Sequence, residues 1–271
     1  MYYSLEIKKL LYLPTYRYSL LVIAVLMALV SVIYIIGADP KTSSWAMNFT
    51  DTFEMMLLFG TVSMIVIAAQ FASGEYTRRT VQLAIASGVS RQTYLFAKSV
   101  ALIVGAFGMV AGLALVGLLL STAVGLLTGT FVVGDLNLAA VLLALFLSPL
   151  KMLPLVFISF FLTVALRSSV FPMSLLIVYS VIGEILLIAI FGGWKYAWIL
   201  NYFPQRISTP ISLVTSDKFV LILNIAAIER NARALEGFNF GTLGAIGGVF
   251  IYVGILLGAS YLIFVRQDLS R

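Results

Sequence analysis

Six long apolar stretches, at about 19–37, 55–72, 96–127, 138–166, 171–192 and 243–265, dominate a chain of 271 residues. A helix crossing about 30 Å of hydrocarbon needs about 20 such residues, so each stretch is long enough to span a bilayer. Backbone polar groups in lipid must bond internally, which leaves helices or closed barrels, and a barrel would show alternating segments of about 10 residues. The expected fold class is therefore all-α, a polytopic membrane protein with six transmembrane helices in one domain over residues 1–271. Composition agrees: 62% of residues are hydrophobic and 10% charged, against roughly 25% charged in soluble domains.

Lys and Arg set the orientation. With both ends of the chain cytoplasmic, Lys8, Lys9, Arg17, Arg78, Arg79, Arg91, Lys98, Arg167, Arg266 and Arg271 lie inside. The short outer loops then hold Lys41 beside Asp39, Asp51, Glu54 and Asp135. This bias accounts for the formal charge of +6 without a nucleic-acid partner; the plasma (inner) membrane is the expected location. The chain has no Cys and no His, which excludes Cys/His metal centres, thiol chemistry and imidazole-based triads. No catalytic, cofactor-binding or metal-ligating set emerges.

Ahead of the first stretch, MYYSLEIKKLLYLPTYRY mixes Leu, Tyr and Lys and reads as an interfacial helix ended or turned upward by Pro14; an unstructured, charge-bearing anchor is the other reading. Residues 193–242 are too long for a plain connection. Within them Phe219 to Ile228 is apolar but too short to span, and fits a re-entrant helix capped by Ser216 or Asp217 and ended by Gly237. An external hairpin also fits. Trp194, Tyr196, Trp198 and Tyr202 form an interfacial belt at the outer end of stretch five. Gly108 with Gly112, Gly244 with Gly248, and Gly254 with Gly258 recur four apart, a spacing that lets helix backbones approach within the bundle or across a dimer.

The cytoplasmic segment joining stretches two and three carries the most information. Val81, Ala84 and Ile85 recur at helical spacing while Arg78, Arg79 and Gln82 occupy other faces, giving a short helix at about 77–87. Gly88 is placed to stop it and Ser90 to cap the helix that follows. An apolar strip with a basic flank suits docking into a groove on a soluble partner; it equally suits anionic headgroups, which Arg78, Arg79 and Arg91 would attract.

Two ionisable residues interrupt stretches four and five, Lys151 and Glu184. Their distances from the cytoplasmic turn near Arg167, about 24 and 20 Å at 1.5 Å per residue, place them at similar depth. An ion pair between them, a polar patch on a substrate route and a proton relay are the three readings. Pro149 and Pro154 bracket Lys151 and are expected to kink that helix.

The order Glu75, Arg79-Thr80, Gly88-Val89-Ser90-Arg91 and Lys98 resembles the permease subunits of type-2 ABC exporters. In that family a Glu precedes a Gly-Thr pair, an amphipathic coupling helix and a Pro-(Ile/Val)-Ser-Arg turn; here Arg79 stands for the Gly and Gly88 for the Pro. Leu5-Glu6-Ile7-Lys8-Lys9-Leu10 resembles the family's amphipathic start, and Phe264-Val265-Arg266-Gln267-Asp268 its closing helix. The resemblance implies a pore-forming subunit that pairs with a second permease, same or homologous, and with two ATP-binding subunits carrying ATP and Mg. It makes Glu75, Arg78, Arg79, Thr80, Val81, Ile85, Ser90 and Arg91 the ATPase-coupling residues, and implies an amphiphilic substrate such as a peptide antibiotic, drug or lipid-like molecule. The chain itself holds no G-x-x-x-x-G-K-[ST] loop, so it is not expected to be an enzyme and ATP is expected on another polypeptide. A secondary transporter using Glu184 and Lys151 for ion coupling is the competing function.

Overall fold

The computed structural model describes residues 2–37, 45–77, 80–129, 138–191, 202–204, 207 and 242–266. In these the chain is helical: α1 (Tyr2–Leu11), α2 (Pro14–Gly37), α3 (Trp45–Thr77), α4 (Thr80–Ala86), α5 (Arg91–Thr128), α6 (Leu138–Leu166), α7 (Val170–Val178), a π-helical segment (Tyr179–Gly183), α8 (Glu184–Phe191) and α9 (Thr242–Arg266). Five helices, α2, α3, α5, α6 and α9, are long and apolar enough to cross a membrane. The apolar stretch expected at 171–192 is helical over its described residues 171–191, but as the run α7, π-segment and α8 rather than one regular helix. Of the expected segment 193–242, 202–204, 207 and 242 fall within the described residues, and the Trp194, Tyr196 and Trp198 belt lies outside them.

Local chemistry explains the boundaries. Pro14 opens α2, the position where its missing N–H costs nothing. Gly129, at φ 70°, closes α5 with its N–H on the Gly125 carbonyl. α3 begins at Trp45, ten residues before the expected start of its stretch, so Glu54 belongs to a helix rather than a loop. The 38 residues of α5 extend about 57 Å, well beyond one hydrocarbon thickness.

Helices α3, α5 and α6 form the centre, with α1 and α2 packed on α5, α2 also on α3, α7 on α3, and α9 chiefly on α6. Ser159 donates to the Ile65 carbonyl at 2.8 Å across the α6–α3 interface, where both are buried, the kind of interhelical bond that replaces water in a bilayer. Along α5, Gly105, Gly108 and Gly112 make the trough that receives the start of the chain. A Cβ at these positions would lie 2.6 Å from Leu10, 2.8 Å from the Tyr16 hydroxyl and 3.1 Å from Leu20. The Tyr16 hydroxyl donates to the Gly105 carbonyl at 3.0 Å. The expected Gly108/Gly112 motif is thus a packing face toward α2. Gly248 meets Ile207, whereas Gly254 and Gly258 face open space.

Candidate coupling site

Four charged side chains converge where α1, the last turn of α3 and the first turns of α5 meet. Lys98 on α5 is 1% exposed, and its ammonium lies 3.1 Å from Glu75 and 3.4 Å from Glu6. It also donates to the Phe71 carbonyl at 3.2 Å and sits 3.9 Å from the centroid of the Phe71 ring. Lys9 closes the ring of charges by pairing with Glu6 at 3.5 Å and with Glu75, and Tyr94 donates to the second Glu75 oxygen. Two carboxylates thus face two ammonium groups, and the set is neutral. Burying any one charge alone would cost several kcal/mol, which makes the four mutually dependent.

Lys9 lies on α1, outside the spanning segments. Burial opposes its charge, but Glu75 and Glu6 outweigh this and raise its pKa above the ordinary lysine value. The Tyr2 phenol is likewise raised, chiefly by burial and then by the Glu6 and Glu75 charges, so it stays protonated and donates toward Glu6.

Below this node hangs α4. Its C-terminus is a Schellman motif: the Val89 N–H reaches the Ala84 carbonyl at 3.2 Å and the Gly88 N–H that of Ile85 at 3.0 Å, with Gly88 at φ +93° in the region that glycine occupies without strain. Ser90 then caps α5, accepting from the Thr93 N–H at 3.1 Å. Arg91 donates to the Phe264 and Val265 carbonyls at 3.2 and 2.7 Å, a cation at the C-terminal end of α9. Tyr94 stacks on Phe264 with centroids 5.4 Å apart. The node, α4 and the last turn of α9 therefore share one end of the bundle.

Of the expected strip, Val81 is 2% exposed, while Ala84 and Ile85 are half-buried against the same core. An apolar strip on a helix tethered to a bundle buries itself against that bundle first, and the outward side carries Leu83, Ala86 and Ser87 instead. Lys151, read above with Glu184 at matched depth, has Glu54 of α3 at 3.3 Å. Depth alone leaves the rotation of each helix open, and α6 turns Lys151 toward α3. Glu184 opens α8, and its side chain, like that of Thr80 and all of Arg78 and Arg79, lies outside the described residues.

Glu75, Ser90 and Arg91 are brought together at this end as the sequence placed them, while Glu6, Lys9, Tyr94 and Lys98 were missed as site residues. Signals existed: Glu6 shares a face with Tyr2 and Leu10, four residues either side, and Lys98 falls inside the third apolar stretch, where an ionisable residue marks function.

A comparison with curated proteins found no match. The family described as ABC-2 family transporter protein matches residues 5–183, from α1 through the node, α4 and α5 to the π-segment, well over half of the chain. This protein belongs to the ABC-2 family of membrane transport components.

Proposed function

We propose that the chain is the permease subunit of an ATP-driven exporter, with both ends cytoplasmic in the plasma (inner) membrane and Val170–Phe191 as its sixth span. Two ATP-binding subunits and a second permease, same or homologous, complete the transporter. The neutral node supports this reading, because it ties together α3 and α5, the two central helices that flank α4. A push on the outward face of α4 would then move both helices together instead of bending a loop.

The substrate proposed is amphiphilic and uncharged over much of its length. A cavity of about 420 Å³ between α6, α7, the π-segment and α9 supports this; among the described residues it is lined by Tyr179, Tyr202, Phe203 and Tyr252 and by no carboxylate, lysine or arginine. Aromatic walls with hydroxyl tips accept an apolar body and orient a neutral polar group. The ion-coupled reading loses support, since the family match favours ATP-driven transport and Lys151 already has a carboxylate partner in Glu54. Co-expression with an ATP-binding subunit encoded nearby tests the proposal. ATP-dependent movement of an amphiphilic peptide or dye in vesicles is the expected result. Transport by this chain alone, driven by an ion gradient, would overturn it.

A further inference from the structure

The run Val170–Phe191 passes from α7 to α8 through the π-helical turn Tyr179–Gly183. A π turn holds one residue more than the α-helical turn it replaces. Everything beyond it is therefore set back by about 100° about the helix axis. The exposed side chains show the consequence. Val178 of α7 is 60% exposed and Ile190 of α8 is 65% exposed. In an uninterrupted α-helix these two would point about 120° apart; with one residue taken up by the π turn, the separation falls to about 20°. Phe171 and Leu186, also exposed, fall on the same stripe. The stripe keeps one direction from α7 to α8 only because the π turn lies between them.

We infer that Gly183 is a positioning residue: it holds the π turn, and through it sets the rotation of α8 and the place of the Tyr179 ring in the wall of the aromatic cavity. A Cβ at 183 would lie 2.6 Å from the Tyr179 Cδ2, 3.1 Å from its Cγ and 3.3 Å from its Cβ. These are the near atoms of the side chain, so tilting the phenol tip relieves nothing. In an α-helix the Cβ atoms of residues four apart stand about 5–6 Å from each other, and alanine is favoured there over glycine. A methyl at 183 therefore drives the turn to α geometry and rotates α8 by about 100°. Ser180 donates to the Ile177 carbonyl at 2.9 Å, a side-chain bond that serves the backbone beside the π turn. Leu176 and Tyr179, from the last turn of α7 and the start of the π turn, line the cavity. The value of this placement to transport rests on the cavity being the substrate site, as proposed above; the register of α8 does not.

The chain has no Cys, so Val178→Cys and Ile190→Cys each carry a single nitroxide on the full-length protein in liposomes. Electron paramagnetic resonance then reads collision with oxygen, which reports lipid, and with a nickel chelate, which reports water. In the parent the two positions should be similarly accessible. In Gly183→Ala they should part, one falling below half of the other. Deleting Val181 removes the extra residue, so the turn becomes α-helical without rotating α8 and the two labels should stay alike, with or without Gly183→Ala. A methyl that merely weakened the segment would not be offset by shortening it. Labels that stay alike in a folded Gly183→Ala protein would overturn the inference. If Gly183→Ala does not fold, the Val181 deletion decides alone: labels that stay alike support the inference, and labels that part, or a deletion that does not fold, overturn it. Because both collision partners are read, register is measured even if Val170–Phe191 lies in water, the outcome that would overturn the proposed sixth span instead.

Discussion

Lys98 of α5 and Glu75 of α3 lie 3.1 Å apart, almost without solvent, and the bond joins the two helices on either side of α4. Each has further partners, so neither charge can be removed without stranding another. Lys98→Met leaves Glu6 and Glu75 facing Lys9 alone, and should destabilise the protein by about 3–5 kcal/mol, the usual penalty for breaking a buried pair. Lys98→Met with Glu75→Gln should recover part of that loss. Thermal unfolding in detergent across the four-member cycle measures it; a coupling of about zero would show the two side chains to be independent.

The two sides of α4 should respond oppositely. Val81→Asp buries a carboxylate in the core and should lower stability by several kcal/mol, giving poor expression and a lowered unfolding midpoint. Leu83→Asp, at a position 67% exposed, should leave unfolding within about 0.5 kcal/mol of the parent yet reduce capture of a co-expressed ATP-binding subunit. Loss of capture by Val81→Asp at unchanged stability would reverse the assignment of faces.

Lys151 should behave unlike Lys98. Glu54 is 41% exposed at its side chain, so this pair is less enclosed than the Lys98 node, and Lys151→Met should cost less stability than Lys98→Met. The coupling measured in a double-mutant cycle should be found with Glu54→Gln. Strong coupling to Glu184→Gln in its place would restore the pairing that depth alone suggests.

The raised pKa of Lys9 fixes the sign of one pH effect. A base whose folded pKa exceeds its unfolded value of 10.5 contributes its full stabilisation below that value and loses it as pH rises through the folded pKa. The difference in unfolding midpoint between the parent and Lys9→Met should therefore stay flat from pH 6 to about pH 9 and shrink as pH passes 10.5. A difference that already disappears between pH 6 and 8 would mean that Lys9 is not held by Glu6 and Glu75.

The sequence by itself determined what depends on neighbours within a turn or two. The lengths of the apolar stretches follow from bilayer thickness, the end of α4 from Gly88 at positive φ, the start of α5 from the Ser90 side chain, and the opening of α2 from Pro14. The helix ends among these depend on residues at most five apart, so the order of residues suffices. Tertiary structure alone decided which way each helix faces. The same spacing that made Val81, Ala84 and Ile85 a strip could not say whether a partner or the chain's own bundle covers it. Similar depth allowed Lys151 to meet Glu184, but the rotation of α6 gives it Glu54, 97 positions away. Glu6 and Lys98, 92 positions apart, meet because Gly105, Gly108 and Gly112 let α1 and α2 settle close against α5. A buried charge announces in sequence that it needs a partner, and only the packing of helices supplies one.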